Sequence, residues 1–541
     1  MKKILLFSAL LCTYGIGQAQ ETFLNNQLLN SGGELYGTAR YVGMGGAMGA
    51  LGADMSCMSF NPAGIGLYRR NDIGFTAGAI WNTNKVELLK NARGTLDQMG
   101  IVYSAHTDND KLQFLNLGFN YQKKLNFGGA FAADNANLNG LSQMDQLAEM
   151  VNGDMGTEYN IPGAASYYGF LTPVDANGDE VLDVKNDADK IAGYVNAFNG
   201  ERNMYTHNQW GGVHTFDLNV SGNVNDRFYF GLTAGIESMK YRSETWYYEE
   251  SSVGSATRDY EVNNMLDIDG WGFNLKMGLI VRPIEDNPLR VGLAFETPTW
   301  YSLRSNSLTR YTYYDYDSNG KQYPIVLNPD LDESGMDYSL HNPVKGRLSI
   351  GSTVGNYLAW DIDYEWANYG KNFMGYPRSY DYDGSARLFD NEPDRDMNKL
   401  TKSTLGFQHT VRAGVEVKPT SNLAFRIGYN FASSPYKDNV GLDQYSLDSY
   451  ARDYLTYTNF MKVGNAHTMT LGFGYKYKKF YVDLAYKVRS QKADFYAFDS
   501  SFTGPGGQFS LDFPELEGAK LTPVQADLSR QQLTATLGFK F

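Results

Sequence analysis

The sequence predicts an all-β fold: a closed, antiparallel transmembrane β-barrel of about fourteen strands, with a compact N-terminal segment acting as a hatch, or plug, inside its lumen. Three observations lead there. The chain carries 40 Tyr and 57 Gly among 541 residues, a composition that favours strands, tight turns and aromatic belts. Past its first nineteen residues it has no apolar run approaching the roughly 18 residues of a membrane helix. It alternates apolar and polar residues in repeated short segments, and a membrane protein without spanning helices must close into a barrel, because lipid offers no partner to an unpaired backbone group.

Residues 1–19 open with Lys2 and Lys3, continue through an apolar run from Ile4 to Ile16 and end in Gly17-Gln18-Ala19. This is the pattern of a cleaved secretory signal peptide. Cys12 falls within it, which leaves Cys57 as the one thiol of the mature chain and excludes an internal disulfide. Without the two signal lysines the chain carries 45 basic against 60 acidic residues, an acidic balance that argues against a nucleic-acid partner.

Residues 20–71 read as the hatch. The stretch 36–68 is rich in Gly, Ala and Met, so backbone can pack against backbone while flexible thioethers fill irregular gaps. It has neither helical nor strand period, and Asn61-Pro62 breaks any helix before it. Arg40, the small-residue run from Gly43 to Ala47, Asp54, and then Asn61, Pro62, Ala63 and Gly64 just ahead of the first strand resemble the N-terminal hatch of the FadL/TodX family of outer-membrane transporters for hydrophobic compounds. The resemblance implies a passive channel of the Gram-negative outer membrane. A hydrophobic molecule would bind among the external loops, move to a pocket capped by the hatch, and leave sideways beside a kink in one strand, without cofactor or nucleotide.

Residues 72–541 read as the barrel. The first strand is 72–81 and the last 533–541, in which Leu533, Ala535, Leu537, Phe539 and Phe541 alternate with Thr534, Thr536, Gly538 and Lys540. Between them lie hairpins 113–122/125–134 joined through Lys123-Lys124, 215–224/228–240, 271–282/289–297, 344–354/357–366, 410–418/422–431, and the hairpin spanning 467–489 turned by Lys478-Lys479. The long polar, aromatic segments 82–111, 135–214, 241–270, 300–343, 367–409, 432–466 and 490–530 read as external loops, and the short links as periplasmic turns. Within one loop, Leu141, Met144, Leu147, Ala148 and Val151 recur at helical spacing, either as a landing site for a hydrophobic substrate or as a closure of the barrel mouth.

Alternation turns Lys345, Arg347, Asp361, Asp363, Glu365, Arg412, Glu416, Arg426, Asp483 and Lys487 into the lumen. They form a structural ion-pair lattice, or else an unpaired Arg or Lys, with Arg412 and Arg426 the candidates, captures a fatty-acid-like carboxylate. Met44, Met48, Met55, Met58 and Phe60 offer adaptable apolar surface to a greasy ligand, or simply pack. Gly128 and Gly129 mark a kink and the candidate lateral gap, or make room for plug backbone.

No enzyme is expected. GMGGAMG follows no strand and has Met48 in the last glycine position of a dinucleotide loop, the six histidines are scattered, and there is no GxSxG elbow. Asp175, Asn177, Asp179 and Asp183 have calcium-loop spacing, but Glu180 stands where that loop needs Gly and Asn186 where it needs Glu, so the stretch reads as a solvated acidic turn and no metal or cofactor is expected. Expected partners are a fatty-acid-like small molecule and the surrounding outer-membrane lipid and lipopolysaccharide, with the barrel a monomer. The alternative function is a non-transport scaffold or secretion-associated barrel whose Tyr- and Asp-rich loops bind protein or glycan.

Overall fold

A computed structural model describes residues 34–82, 92–109, 111–152, 165, 170–182, 186–253, 256–316, 322–327, 334–378, 391–437, 458–498 and 521–541. The signal-peptide reading and Asp183 lie outside these residues. Among them, fourteen wall strands close a barrel, each paired antiparallel with the next and the last with the first. They are β1 Asp72–Asn82, β2 Ala92–His106, β3 Leu112–Asn126, β4 Asn199–Val224, β5 Phe228–Val253, β6 Tyr260–Val281, β7 Arg290–Glu296, β8 Lys345–Val354, β9 Leu358–Asn368, β10 Phe407–Val417, β11 Leu423–Ala432, β12 Phe460–Tyr477, β13 Phe480–Tyr496 and β14 Arg530–Lys540.

The expected total of fourteen is correct, but two errors in it cancel. Lys123-Lys124 is not a turn: both lysines lie in the wall within β3, and 129–135 continues past Phe127-Gly128 along the same partner, β4. The segment 82–111, taken for a loop, contains β2. The stretch 241–270 is mostly strand as well, since β4, β5 and β6 run 22 to 26 residues and project well beyond the rest of the wall. At roughly 3.3 Å per residue, 26 residues span about 86 Å, far more than a membrane needs.

The short links are genuinely tight. Lys478-Lys479 joins Tyr477 to Phe480, with Lys478 in the left-handed region at φ 55°. Every wall strand turns large apolar side chains outward, among them Phe75, Ile101, Leu117, Leu232, Ile350, Ile427 and Leu471. The same strands bury polar and charged groups inward, including Asp217, Glu237, Asp361, Asp363 and Glu416 at 0 or 1% exposure. Apolar side chains facing out and carboxylates facing in is the inverse of a soluble sandwich, and it is the pattern of a barrel wall in lipid. At the upper edge of the apolar band three Tyr hydroxyls meet His Nδ1 on the neighbouring strand, Tyr121–His214 and Tyr364–His409 at 2.7 Å and Tyr429–His467 at 2.8 Å.

The helix expected near 141–151 forms as Gln143–Asn152 and packs over the mouth, with Leu141, Met144, Leu147 and Met150 in an apolar cluster beside Phe131, Tyr205 and Phe495. Its first turn is pinned to the wall by the buried Glu249 carboxylate, which accepts from Ser142 Oγ and Gln143 N. Burial, with Glu249 adding to it, pushes the Asp145 carboxyl up to about 7, against hydrogen bonds from Asn196 and Ser142 that pull it down. A carboxyl raised in the folded state adds stability that is fully present below its ordinary range and is lost as pH rises toward 7. Hydrogen exchange across 143–152, corrected for intrinsic rates, should therefore be slower at pH 5 than at pH 7.5. Asp145→Asn should remove the difference.

Candidate functional site

The inner segment is held from all sides of the wall. Wall side chains reach its backbone: Asp361 accepts from Ala50 N and Leu51 N at 3.0 and 2.8 Å, and Asp363 from Gly49 N at 3.2 Å. Gln122 and Asn116 of β3 donate to Tyr36 O and Ile65 O at 2.8 and 2.7 Å, Ser221 of β4 to Pro62 O at 2.9 Å, and Arg290 of β7 to Leu51 O at 2.9 Å. Thr470 of β12 donates to Gly43 O at 3.1 Å, and Thr536 of β14 accepts from Ala39 N at 2.7 Å. The segment has little regular structure of its own, so the wall satisfies backbone groups that would otherwise be buried without partners. Hydrogen bonds to charged groups contribute roughly 1.5–3 kcal/mol each.

Within the segment, the Asn61, Pro62, Ala63 and Gly64 motif acts as a knot. Asn61 Nδ2 donates to Gly49 O at 2.6 Å and its Oδ1 accepts from Ala63 N, Pro62 starts the short helix Pro62–Leu67, and Gly64 O accepts from Ala53 N at 2.9 Å. Met44, Met48, Met55 and Met58 are packed to 1% exposure or less. Phe60 stacks on Tyr41 at 4.7 Å and lies under the Arg347 guanidinium at 4.6 Å.

Arg412 and Arg426 lie in two separate ionic clusters. Arg412 shares Glu365 with Arg347, at 3.3 Å for its own contacts. Arg426 bridges Glu416 and Asp483 at 2.6 Å each, and Glu416 also holds Arg40 of the inner segment at 3.1 Å. Both arginines that sequence offered as ligand hooks are thus paired in the lattice.

Two cavities flank the inner segment. One, of about 380 Å³, faces the short turns and is lined by Arg40, Asp54, Met55, Glu416, Arg426 and Asp483 among others. The other, of about 100 Å³, lies on the loop side, where Tyr36, Tyr41 and Phe60 meet six basic side chains (Lys123, Lys124, Lys276, Lys345, Arg347, Arg412) and three carboxylates (Glu34, Glu296, Glu365). Lys124 is taken by Glu237 and Glu296 at 2.7 and 3.2 Å, and Lys276 by Asp217 at 2.7 Å. Lys123 and Lys345 have no carboxylate within ion-pair distance among the described residues. Farther from the short turns the inward faces become apolar, with Phe127, Met239, Tyr241, Ile268, Tyr301 and Leu340 in one buried cluster.

Beside the upper cavity the wall is interrupted. The ladder between β2 and β3 runs from His106↔Phe114 only as far as Gln98↔Gln122, so 92–96 pairs with β1 alone and Asp97 with neither neighbour. A bulge lies at the base of the opening on each side. The register of β2 shifts at Asp97, and that of β3 at Lys124. Bulges bend a strand and increase its twist, which is why two strands that pair below part above. Gly128 and Gly129 fall just past the end of β3, on the far edge of this window, and across the ladder Gly211 of β4 adopts φ 103°. A Cβ at Gly128 would come within 2.9 Å of Arg93 Nη1, and one at Gly129 within 3.6 Å of Arg530 Nη2, so these guanidinium groups converge on the pair.

Glu34, which no motif pointed to, ties the inner segment to the window. At 8% side-chain exposure its carboxylate meets Arg489 at 3.3 Å, Arg530 at 3.1 Å and Asn126 N at 3.0 Å, while Arg530 also donates to Asn126 O at 2.6 Å. Removing one partner of a buried ion pair costs about 3–5 kcal/mol. Glu34→Ala should therefore free the start of the inner segment, read as new protease cleavage near residues 34–43 in a barrel that still resists unfolding in cold detergent.

The acidic turn at Asp175 closes on itself, Asp175 Oδ1 accepting from Asn177 N and Asp179 N at 2.7 and 3.1 Å.

No protein-family model matches the sequence, and no curated relative matches it. Among solved structures the chain is similar to a Pseudomonas aeruginosa FadL homologue (12% identity, 94% of this chain and 100% of that one, TM-score 0.46), to the Pseudomonas putida toluene transporter TodX (13%, 94% and 98%, 0.44) and to the CymD monoaromatic hydrocarbon channel (12%, 94% and 97%, 0.44).

Proposed function

We propose that this barrel sits in the outer membrane and lets hydrophobic small molecules, long-chain fatty acids among them, cross passively from the external face to the lumen and then sideways through the window between β2 and β3. The observation that carries this reading is the interrupted ladder beside the upper cavity. A barrel wall in lipid normally pairs all its backbone groups, so an opening beside a lumen cavity, starting level with the upper edge of the apolar band, is a route for a molecule soluble in lipid. The outward apolar band supports the membrane location, and the knotted inner segment supports a hatch that closes the straight path to the turn side. Nothing in this reading calls for a reaction or a cofactor, and one barrel suffices.

The small size and charged lining of the upper cavity favour a second reading, a scaffold whose external strands and loops hold a protein or glycan. Mass spectrometry of lipids copurifying with the detergent-extracted barrel, paired with radiolabelled oleate uptake by cells producing it, separates the two. Bound fatty acid with uptake supports the channel; an empty barrel inert toward oleate moves the scaffold ahead.

A further inference from the structure

The window is framed by cations. Arg93, on the unpaired end of β2, is partly exposed and its Nη1 donates to Gln209 O of β4 at 3.3 Å. Lys123 reaches across from β3 to Thr95 Oγ1. Arg530 completes the frame from β14. The carboxylates at this level are engaged elsewhere. Glu34 holds Arg489 and Arg530, and Asp97 faces inward, accepting from Thr95 at 2.8 Å and from Gln532 at 2.6 Å. Arg93 and Lys123 therefore have no carboxylate within ion-pair distance among the described residues, and Lys123 lines the upper cavity together with Lys345, which has none either.

We infer that Arg93 and Lys123 are specificity-determining residues: the window passes amphiphiles with one anionic head in preference to neutral molecules of the same shape. The inference rests on the proposed lateral exit and adds to it a substrate class. A purely apolar molecule gains nothing from a portal whose rim is guanidinium and ammonium, and it must pass groups that keep their water. A carboxylate or phosphate head can exchange one cation for the next, from Lys345 in the cavity to Lys123 at the rim and Arg93 beyond it, while its tail turns outward toward lipid. Guanidinium suits this role because its fork grips an oxyanion with two hydrogen bonds and is weakly hydrated. All three side chains keep some exposure and none is paired to a carboxylate among the described residues, so no handover has to break an existing ion pair.

The test compares radiolabelled oleate with methyl oleate, which has the same tail and no charge, in cells producing wild type, Arg93→Gln, Lys123→Gln or the double variant. Heat-modifiable migration on gels confirms that each barrel is folded. The wild type should take up oleate faster than the ester. The double variant should bring the ratio down by about tenfold, the equivalent of one charge-assisted hydrogen bond, by slowing oleate and leaving the ester unchanged. A structural role for the two residues would slow both molecules together. An unchanged ratio in a folded double variant overturns the inference while leaving the lateral exit standing. If wild type moves neither molecule, the exit reading fails and the selectivity falls with it.

Discussion

Cysteines placed at Thr95 and Lys123 and joined by a reducible bifunctional thiol reagent should abolish uptake of a hydrophobic tracer, and reduction should restore it. The two side chains face each other across the one stretch where β2 and β3 do not pair, so a covalent bridge replaces the missing ladder and closes the window. Cys57 is buried and should not compete for the reagent. A bridge between Ile101 and Phe119, outward-facing partners where the ladder is already formed, should leave uptake unchanged and serves as the control. Residual uptake in a fully bridged barrel would rule out the window as the exit. Gly129→Val tests the same opening more mildly, because a Cβ there meets nothing closer than 3.6 Å.

The second large effect concerns the fit of the inner segment. Several inward-facing wall positions that touch it are glycine: Gly231 on β5, Gly292 on β7 and Gly428 on β11 among them. A Cβ at Gly231 would lie 2.6 Å from Ala63 N, one at Gly292 2.6 Å from Gly49 O, and one at Gly428 2.6 Å from Gly45 Cα. These neighbours are backbone on both sides and cannot step aside, and overpacking such a contact typically costs about 1–3 kcal/mol or more per site. The double variant Gly231→Val with Gly428→Val should still close its barrel, since neither residue has a positive φ or a role in the turns. It should, however, lose the seat of the inner segment. In planar bilayers the wild type should conduct little, and the double variant should show large, persistent openings. A double variant as closed as the wild type would mean that the seat tolerates bulk and that the segment is not held by shape.

Strand character, the orientation of each face and the charged lumen were legible because they depend on a period of two within a single strand. Ile362 and Tyr364 face out while Asp361 and Asp363 face in, and Phe425 and Ile427 face out while Arg426 faces in, as alternation requires. The knot at Asn61 was legible for a similar reason, since an Asn-Pro pair dictates a turn wherever it falls. The partners of these residues were not. Arg412 and Arg426 read as possible ligand hooks because sequence counts charges without showing which carboxylate faces each, and both proved to be paired.

The two misread segments have one cause. Along β2 the outward residues are Leu96 and then Met99, three apart, because Asp97 is bulged; along β3 the phase slips again at Lys124. A bulge inserts one residue and flips every later side chain to the other face, so period-two reading loses the strand at that point. The same slip turned Lys123-Lys124 into an apparent turn and hid β2 inside an apparent loop. By itself, then, the sequence determined a barrel with an apolar outside, a charged inside and a compact segment to fill it. Pairing between strands decided where that wall opens and which cations frame the opening, because register belongs to two strands at once and cannot be read from either alone.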